Sequence, residues 1–484
     1  MKRNLTTTGI GGRKFAQGLA AAVLIVLLAI GACKKKEKDD SLLFLGIFAG
    51  LSLNPPGAVT IASLSFPDPN LAGCVASQNA RFVHEIVLLN CNGNQNGPLE
   101  LKISDLTGIE KLTSLRTLYL AYHNISDLTP LSSLRTLTNL GLSNNSISNI
   151  NPLSSLTSLI NLDLVNNLIT DVNSLSFLTN LEFLSLNNNT VADISPLSSL
   201  VKMKQLNMSN CGLTDISALS SMTAMEILYL DTNGLTDLSP LSGMNFLEVL
   251  ILDQNIVSNV ASLASLSALR TLWMDDNAVS NIGPLSSLTS LEQIKLNRNN
   301  ITDPAPLSSL PSLIILELEG NNISDITSLS SLPAAGRISL SRNNITDISS
   351  LASVKTLVEL YLGNNTISNI SPLSSLPLLW LLDLQNNNIA DLSPLSSLPS
   401  LGELALSFNN ISNVSPLASI TTLTYLLLAN NNISDISPLG TLTSLTYLYL
   451  PNNPITCSSL ATLDSALDGS DGSGAGVVEW LSCI

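Results

Sequence analysis

A 22-residue pattern of hydrophobic and polar positions runs through most of the chain. Sixteen copies follow one another from Leu115 without insertion or deletion, and apolar residues occupy positions 1, 4, 6, 11, 14, 17 and 20 in nearly every copy. Around position 5 the apolar residues alternate with others, which predicts a short β-strand. The later apolar residues recur every three positions, and proline is common at position 16, so this half of each copy predicts 3₁₀ or turn-like backbone rather than an α-helix.

Such a repeat predicts a solenoid. One copy has too few apolar side chains to offset its loss of conformational entropy, so neighbouring copies must stack and share a core. Strands of successive copies then form a parallel β-sheet on the concave face, and the 3₁₀ or turn segments lie on the convex face. With strands about 4.8 Å apart, the sheet is about 70 Å long.

Position 9 is expected to support the stack through hydrogen bonds. It is Asn in fourteen copies, and a side-chain amide at a tight turn can bind backbone groups of the neighbouring copy. The two exceptions are His123 in the first copy and Cys211 in the fifth. We interpret His123 as a satisfied residue at the end of this ladder and Cys211 as a buried structural thiol.

The phrase N-x-I-S-D-I-S-P-L, repeated across the copies, resembles the leucine-rich repeats of bacterial internalins. The entry sequence Phe66–Leu71 also resembles the internalin cap, with Asp68 as the cap of a short helix and Pro69 at its first position. This resemblance implies an α/β solenoid of the leucine-rich repeat horseshoe type. It covers a cap over residues 65–114 and the sixteen repeats over 115–456. Residues 457–484 depart from the family, and we predict that they form a cysteine-flanked C-terminal cap. No immunoglobulin-like domain or wall-sorting signal is visible after the repeats, so we expect the anchor to lie at the other end.

The N-terminal residues predict export. Basic residues precede an apolar run over 19–30, and the following Ile30–Cys33 resembles a bacterial lipobox. We therefore predict a lipoprotein signal peptide over 1–32, lipidation of Cys33 and a tether over 33–64, which would anchor the protein to a membrane. An ordinary signal peptide or a signal anchor is the alternative. The sequence does not show whether the apolar segment 41–53 packs on lipid or on the repeats.

The remaining cysteines fit an exported protein. Cys74 and Cys91 flank the N-terminal cap, and Cys457 and Cys483 flank the C-terminal cap. We predict one disulfide within each pair, with reduced cysteines as the alternative.

Recognition is expected in the outward-facing columns of the concave face, at positions 2, 3, 5, 7 and 8. All seven tyrosines fall in these columns, together with two of the three tryptophans. Tyrosine and tryptophan are enriched at the centres of protein interfaces, although aromatic residues also simply suit β-strands. The predicted partner-binding residues are Tyr119, Phe183, Tyr229, Asp231, Ile251, Asp253, Trp273, Asp275, Asp276, Tyr361, Trp380, Phe408, Tyr425, Tyr447 and Tyr449. Trp480 is assigned instead to the core of the C-terminal cap.

An acidic column strengthens this prediction. Asp231, Asp253 and Asp275 occupy position 7 of three successive copies, with Asp276 beside the last. Like charges one strand apart repel, so we expect a Lys- or Arg-bearing partner segment to neutralise them. Ca²⁺ is a less favoured ligand, and a merely solvated acidic stripe is the alternative.

These features together predict a binding protein. A net charge of −15 argues against a nucleic-acid partner. The chain has only two histidines, and no metal-ligand spacing or nucleophile motif is present, so we expect no enzyme activity, no cofactor and no metal site. The predicted function is a lipid-anchored envelope protein that binds a protein on its concave face, and the resemblance implies adhesion to host proteins. The alternative is an envelope scaffold for the cell's own proteins or glycans.

Overall fold

A computed structural model describes residues 58–467 and the two-residue strand Val478–Glu479. Cys33, the segment 41–53, Trp480 and Cys483 lie outside the described residues, so the predictions made for them remain predictions. Among the described residues, no helix is both long enough and apolar enough to cross a membrane.

Each copy of the repeat contributes one three-residue strand at positions 3–5. Every strand pairs in parallel with those of the preceding and following copies, and partners are 22 residues apart within the repeats, as in Leu118 with Leu140. This register repeats because no copy differs in length. In chain order, β1 to β18 are Leu88–Asn90, Thr117–Tyr119, Asn139–Gly141, Asn161–Asp163, Phe183–Ser185, Gln205–Asn207, Ile227–Tyr229, Val249–Ile251, Thr271–Trp273, Gln293–Lys295, Ile315–Glu317, Arg337–Ser339, Glu359–Tyr361, Leu381–Asp383, Glu403–Ala405, Tyr425–Leu427, Tyr447–Tyr449 and Val478–Glu479.

The opposite side of each copy is a 3₁₀ helix, as the three-residue apolar spacing predicts. The proline of position 16 stands at its first or second residue, where no backbone donor is needed. An Asp or Asn side chain at position 13 accepts a hydrogen bond from the first backbone N–H of the helix; Oδ1 of Asp193, for example, accepts from the Ser195 backbone N–H at 2.9 Å. The 3₁₀ helices span Ile61–Ser63, Val83–Glu85, Leu99–Leu101, Ile109–Lys111, Thr129–Leu131, Asn151–Ser155, Asn173–Phe177, Ser195–Ser199, Ser217–Ser221, Ser239–Leu241, Ala261–Ser265, Gly283–Ser287, Ala305–Ser309, Thr327–Ser331, Ser349–Ser353, Ser371–Ser375, Ser393–Ser397, Ser415–Ser419 and Ser437–Thr441.

The asparagines of position 9 form the expected ladder. Asn167 is buried, and its Nδ2 donates to the carbonyl oxygens of Leu142 and Leu164, each at 3.0 Å. Its Oδ1 accepts from the Ile147 backbone N–H at 3.0 Å. One side chain thus satisfies three backbone groups in two copies, and this pattern recurs along the solenoid.

The two exceptions keep parts of the same pattern. Nδ1 of His123 accepts from the Ile103 backbone N–H at 3.1 Å, the bond that Asn Oδ1 makes elsewhere, while Nε2 lies 2.5 Å from the Cys91 carbonyl oxygen. His123 is therefore a satisfied ladder residue, with the proton on Nε2. Sγ of Cys211 lies 3.3 Å from the Leu186 carbonyl oxygen, and burial raises the pKa of this thiol to about 11. An unreactive structural role follows.

Caps close both ends of the described solenoid. Helix α1, Pro69–Ser77, begins after Asp68, which accepts from the backbone N–H groups of Asn70, Leu71 and also Ser104. The hydrogen bond from Ser104 connects the cap helix to the segment that leads into the first repeat. A disulfide joins the predicted pair Cys74 and Cys91, with their Cα atoms 5.7 Å apart. Helix α2, Cys457–Leu467, follows the last repeat and buries Leu460 and Leu463.

Candidate functional site

The concave face is a set of straight columns. Side chains at positions 4 and 6 are fully buried in most copies, whereas those at positions 3 and 5 are mostly partly exposed, as the strand alternation predicts. At position 8 the backbone turns into the left-handed region in every copy, with φ between 52° and 68°. Position 8 therefore marks the edge of this face.

Several predicted aromatic residues are exposed on it, and two of them lie on glycines. Tyr119 leans over Gly141, where a Cβ atom would meet the tyrosine Cδ1 at 2.7 Å. Trp380, 41% exposed, covers Gly402 in the same manner. Glycine at these two positions lets each ring lie flat on the next copy. Phe183 is also exposed, and its strand Phe183–Ser185 contains no second aromatic residue.

One predicted binding residue is corrected by the structure. Ile251 lies in register between Tyr229 and Trp273 and is only 6% exposed. Its two larger neighbours in the column shield it, so Ile251 is part of the packing. Nζ of Lys295 lies 4.3 Å from the Trp273 ring centroid, a cation–π contact. Nε1 of Trp273 is buried without a hydrogen-bond partner among the described residues.

The solenoid itself supplies hydrogen-bond partners to the acidic column, and the basic partner segment stays a prediction. The Asp275 backbone N–H donates to Oδ1 of Asp253 at 2.7 Å, and the Asn297 backbone N–H donates to Oδ1 of Asp275 at 2.8 Å. Asp231 binds the Ser209 hydroxyl. A basic partner is therefore not required to hold these carboxylates together.

Burial nevertheless makes the ionised form of two of these groups less favourable. Burial raises the pKa of Asp253 to about 6, and the neighbouring carboxylates add to the effect. Burial likewise raises the pKa of Asp275. By contrast, the hydrogen bond from Arg298, with Nη2 2.6 Å from Oδ2, lowers the pKa of Asp276. Among the described residues, no group of three or more His, Cys, Asp or Glu side chains is arranged to hold a metal ion.

The aromatic residues near the C-terminal end form a compact cluster. The Tyr425 and Tyr447 rings stack with centroids 4.7 Å apart, and the Tyr447 and Tyr449 rings follow at 6.4 Å. Phe408 stands apart at position 8, with φ of 61° and 55% of its surface exposed. A phenylalanine in the left-handed region is strained, so its side chain is not there for the stability of the turn.

Charged residues in the middle of the sheet form a network. Arg337 lies between Glu317 and Glu359, with Nη1 2.9 Å from Glu359 Oε2 and Nε 3.2 Å from Glu317 Oε1. The guanidinium also lies 4.9 Å from the Tyr361 ring centroid, and Glu359 accepts the Tyr361 hydroxyl at 3.1 Å. Tyr361 is thus held by charged neighbours, and burial raises its pKa.

Beside this network the concave face has a recess of about 300 Å³. Ser339 and Ser341 lie at its floor, and Glu319, Arg342, Tyr361 and Asp383 are among the residues around it. The recess exists because Ser339 at position 5 lies between the larger Glu317 and Tyr361, and because position 7 carries Ser341 and then Gly363 in successive copies. The sequence carries this signal as a difference in side-chain size between successive copies.

Fold and repeats define the class: this chain is a leucine-rich repeat solenoid, a fold that commonly mediates protein–protein interactions. The family model "Leucine Rich repeats (2 copies)" matches residues 179–219, 201–243, 337–375 and 421–465. Among curated proteins, none matches the chain. Neighbours of the internalin and receptor-ectodomain type are generally binding scaffolds rather than enzymes, and no catalytic family is indicated.

Solved structures place the chain among internalin-like solenoids. It is similar to an internalin (InlF) from Listeria monocytogenes, with 29% identity and a TM-score of 0.52 over 81% of this chain and 97% of that one. A leucine-rich repeat protein from Leptospira interrogans aligns with 22% identity and a TM-score of 0.65, covering 79% and 99%. The plant peptide hormone receptor RGFR1, solved in complex with RGF2, aligns with 18% identity and a TM-score of 0.62, covering 78% and 72%. These last two likenesses show the fold alone.

Proposed function

We propose that the protein is exported, anchored through lipid on Cys33, and binds a protein partner with its concave face. The observation that carries this proposal is the set of exposed aromatic residues on that face, above all Trp380 and Phe408. Phe408 keeps a strained backbone that the repeat elsewhere assigns mostly to Asn, and large aromatic side chains supply most of the binding energy at many protein interfaces. The internalin-like fold supports recognition at a bacterial surface, with adhesion to host proteins as the specific form.

The binding claim is tested by comparing aromatic residues on the two sides of the solenoid. Wild-type protein is used to isolate partners from host-cell and bacterial envelope extracts, and each partner is then purified and titrated. Trp380→Ala and Phe408→Ala should each weaken binding at least tenfold. Phe177, a similarly exposed aromatic residue at the end of a 3₁₀ helix, provides the matched control, and Phe177→Ala should leave the affinity unchanged. Equal effects from all three variants would refute a concave binding site.

Localisation is tested separately. Wild-type protein should fractionate with membranes, and Cys33→Ala should release it or leave its signal peptide uncleaved. Protease added to intact cells should degrade a protein that faces outward. A protected protein would instead indicate the envelope scaffold that binds the cell's own proteins or glycans, and it would exclude adhesion.

A further inference from the structure

We infer that the recess floored by Ser339 and Ser341 receives a primary ammonium group, supplied by a lysine side chain of the protein partner. This inference rests on the proposed function and adds the chemistry of one contact. The sequence alone predicted a basic partner segment at the acidic column, whereas this inference places the basic group three copies beyond the end of that column.

The first argument is the state of the charged groups around the recess. Arg337 is held between Glu317 and Glu359, and Arg342 pairs with Glu319 at 3.3 Å. In the part of the chain that the structure describes, no lysine or arginine lies within ion-pairing distance of Asp383. The lining thus contains one carboxylate without a counter-ion, and a cation entering the recess would supply it.

The second argument is that only one of the two carboxylate oxygens of Asp383 accepts hydrogen bonds from its neighbours. The Gln385 backbone N–H and side-chain Nε2 both donate to Oδ1, at 2.9 and 3.2 Å. Oδ2 has no such donor and lies over Gly363, where an added Cβ would stand 3.1 Å away. The glycine leaves space beside the free oxygen, and burial raises the pKa of this carboxyl, so a bound cation would favour its ionised form.

The third argument is the floor. Ser339 and Ser341 are 6% and 8% exposed, line the recess, and their hydroxyl groups make no hydrogen bond to other described residues. The recess thus offers hydroxyl and carboxylate oxygens that can accept hydrogen bonds. A lysine ammonium has three N–H donors and no acceptor, so its chemistry suits such a lining. An anionic ligand would instead meet Asp383 and Glu319 while both arginines are already engaged.

The repeat provides a matched control for the carboxylate. Asp163 occupies the same position 5 in the third copy, and its Oδ1 accepts the backbone N–H of Val165 at 3.1 Å, as Asp383 accepts that of Gln385. Asp163 does not line the recess. Asn at either position keeps this acceptor and removes only the charge.

The experiment titrates the full chain with Nα-acetyl-lysine methylamide and with its neutral counterpart, Nα-acetyl-norleucine methylamide, by ligand-observed NMR. We expect saturable binding of the lysine compound only. Asp383→Asn should weaken it at least tenfold, whereas Asp163→Asn should not change it. Ser339→Leu should fill the recess and abolish binding; position 5 already carries Ile251 and Leu427, so this variant should fold, as checked by thermal unfolding.

Three results would overturn the inference. The first is equal binding of the norleucine compound, and the second is equal loss in Asp163→Asn and Asp383→Asn. The third is binding of a neutral sugar such as N-acetylglucosamine to a recess that does not bind the lysine compound. The proposed function fails separately: if the lysine compound binds but no protein partner depends on Trp380 or Phe408, the recess stands and the partner claim falls. If a purified partner instead binds with equal affinity to wild type and Asp383→Asn, the partner claim stands and the lysine contact in the recess falls.

Discussion

Replacing Asp253 by Asn should make the solenoid more stable at neutral pH. Burial, together with the neighbouring Asp275 and Asp231, raises the pKa of Asp253 from 3.8 to about 6. At pH 7 the folded protein therefore carries a charge at a site that disfavours it. Asparagine has nearly the same shape and removes this charge.

The magnitude follows from the pKa difference. A rise from 3.8 to about 6 corresponds to an upper limit of about 3 kcal/mol, at 1.36 kcal/mol for each unit. Asp253 is only partly buried, and solvent screening reduces the expected gain to about 1 kcal/mol. Because the folded pKa is the higher one, the favourable contribution of the protonated form is complete below pH 3.8 and is lost as the pH rises through about 6.

The repeat itself shows that asparagine can occupy this position. Asn297 stands at position 7 two copies later, and its Oδ1 accepts the Glu319 backbone N–H at 2.7 Å, as Oδ1 of Asp253 accepts that of Asp275. Nδ2 of Asn297 also donates to Oδ2 of Asp275 at 3.1 Å. We therefore expect Asn at position 253 to keep the backbone hydrogen bond and to donate to Asp231.

The assay is urea unfolding followed by circular dichroism at pH 7 and at pH 4. Asp253→Asn should raise the midpoint at pH 7 and leave it nearly unchanged at pH 4. Asp276→Asn is the control, because Arg298 lowers the pKa of that carboxyl and its removal should not stabilise the protein. An unchanged or lower midpoint at pH 7, or an equal rise at both pH values, would refute the assignment of the effect to ionisation.

Further outcomes follow from single residues. Asn299→Ala should lower the unfolding free energy by about 3 kcal/mol, because it leaves carbonyl and N–H groups of three residues unpaired; a loss below about 1 kcal/mol in urea unfolding would contradict the ladder. Phe408→Asn should raise the thermal midpoint by relieving about 1 kcal/mol of backbone strain while weakening partner binding. Burial lowers the pKa of His123, so wild type should lose stability as the pH falls below about 6.5, and an equal loss in His123→Asn would exclude this residue as the cause. Replacing Cys74 and Cys91 together by Ser should destabilise the cap by about 3 kcal/mol, seen as faster proteolysis near the N-terminal end.

Much of the fold was predictable because the repeat keeps one length. A constant 22-residue period determines the strand register, the inward leucines and the asparagine ladder together, and even His123 follows the ladder pattern. Contacts within a column were less predictable. The sequence shows that Asp253 faces outward, but not that the backbone N–H of the next copy lies within hydrogen-bond distance of it. A side chain that faces outward from a stacked sheet still contacts the residues at the same position in the preceding and following copies.

The same reasoning explains Ile251 and the recess. In a straight column, the exposure of a side chain depends on its size relative to the side chains one copy before and after. Ile251 is buried because Tyr229 and Trp273 are larger, and the recess at Ser339 exists because Glu317 and Tyr361 are larger. The relevant signal is therefore a difference between successive copies at one position, which a reading of residue types alone does not provide.

Departures from the repeat that reduce stability carry the strongest functional argument. At position 8 most copies place Asn or another small or polar residue in the left-handed turn, yet two copies have the aromatic residues Tyr122 and Phe408. At position 5 most copies place neutral residues, yet two copies have Asp163 and Asp383, and burial raises the pKa of Asp383. Substitutions that relieve such strain or charge are usually available to a protein, and sites that keep the less stable residue tend to be those where binding needs it. Phe408 and Asp383 both face the same half of the solenoid as Trp380, so we expect the main contact with the partner there rather than at the internally paired acidic column.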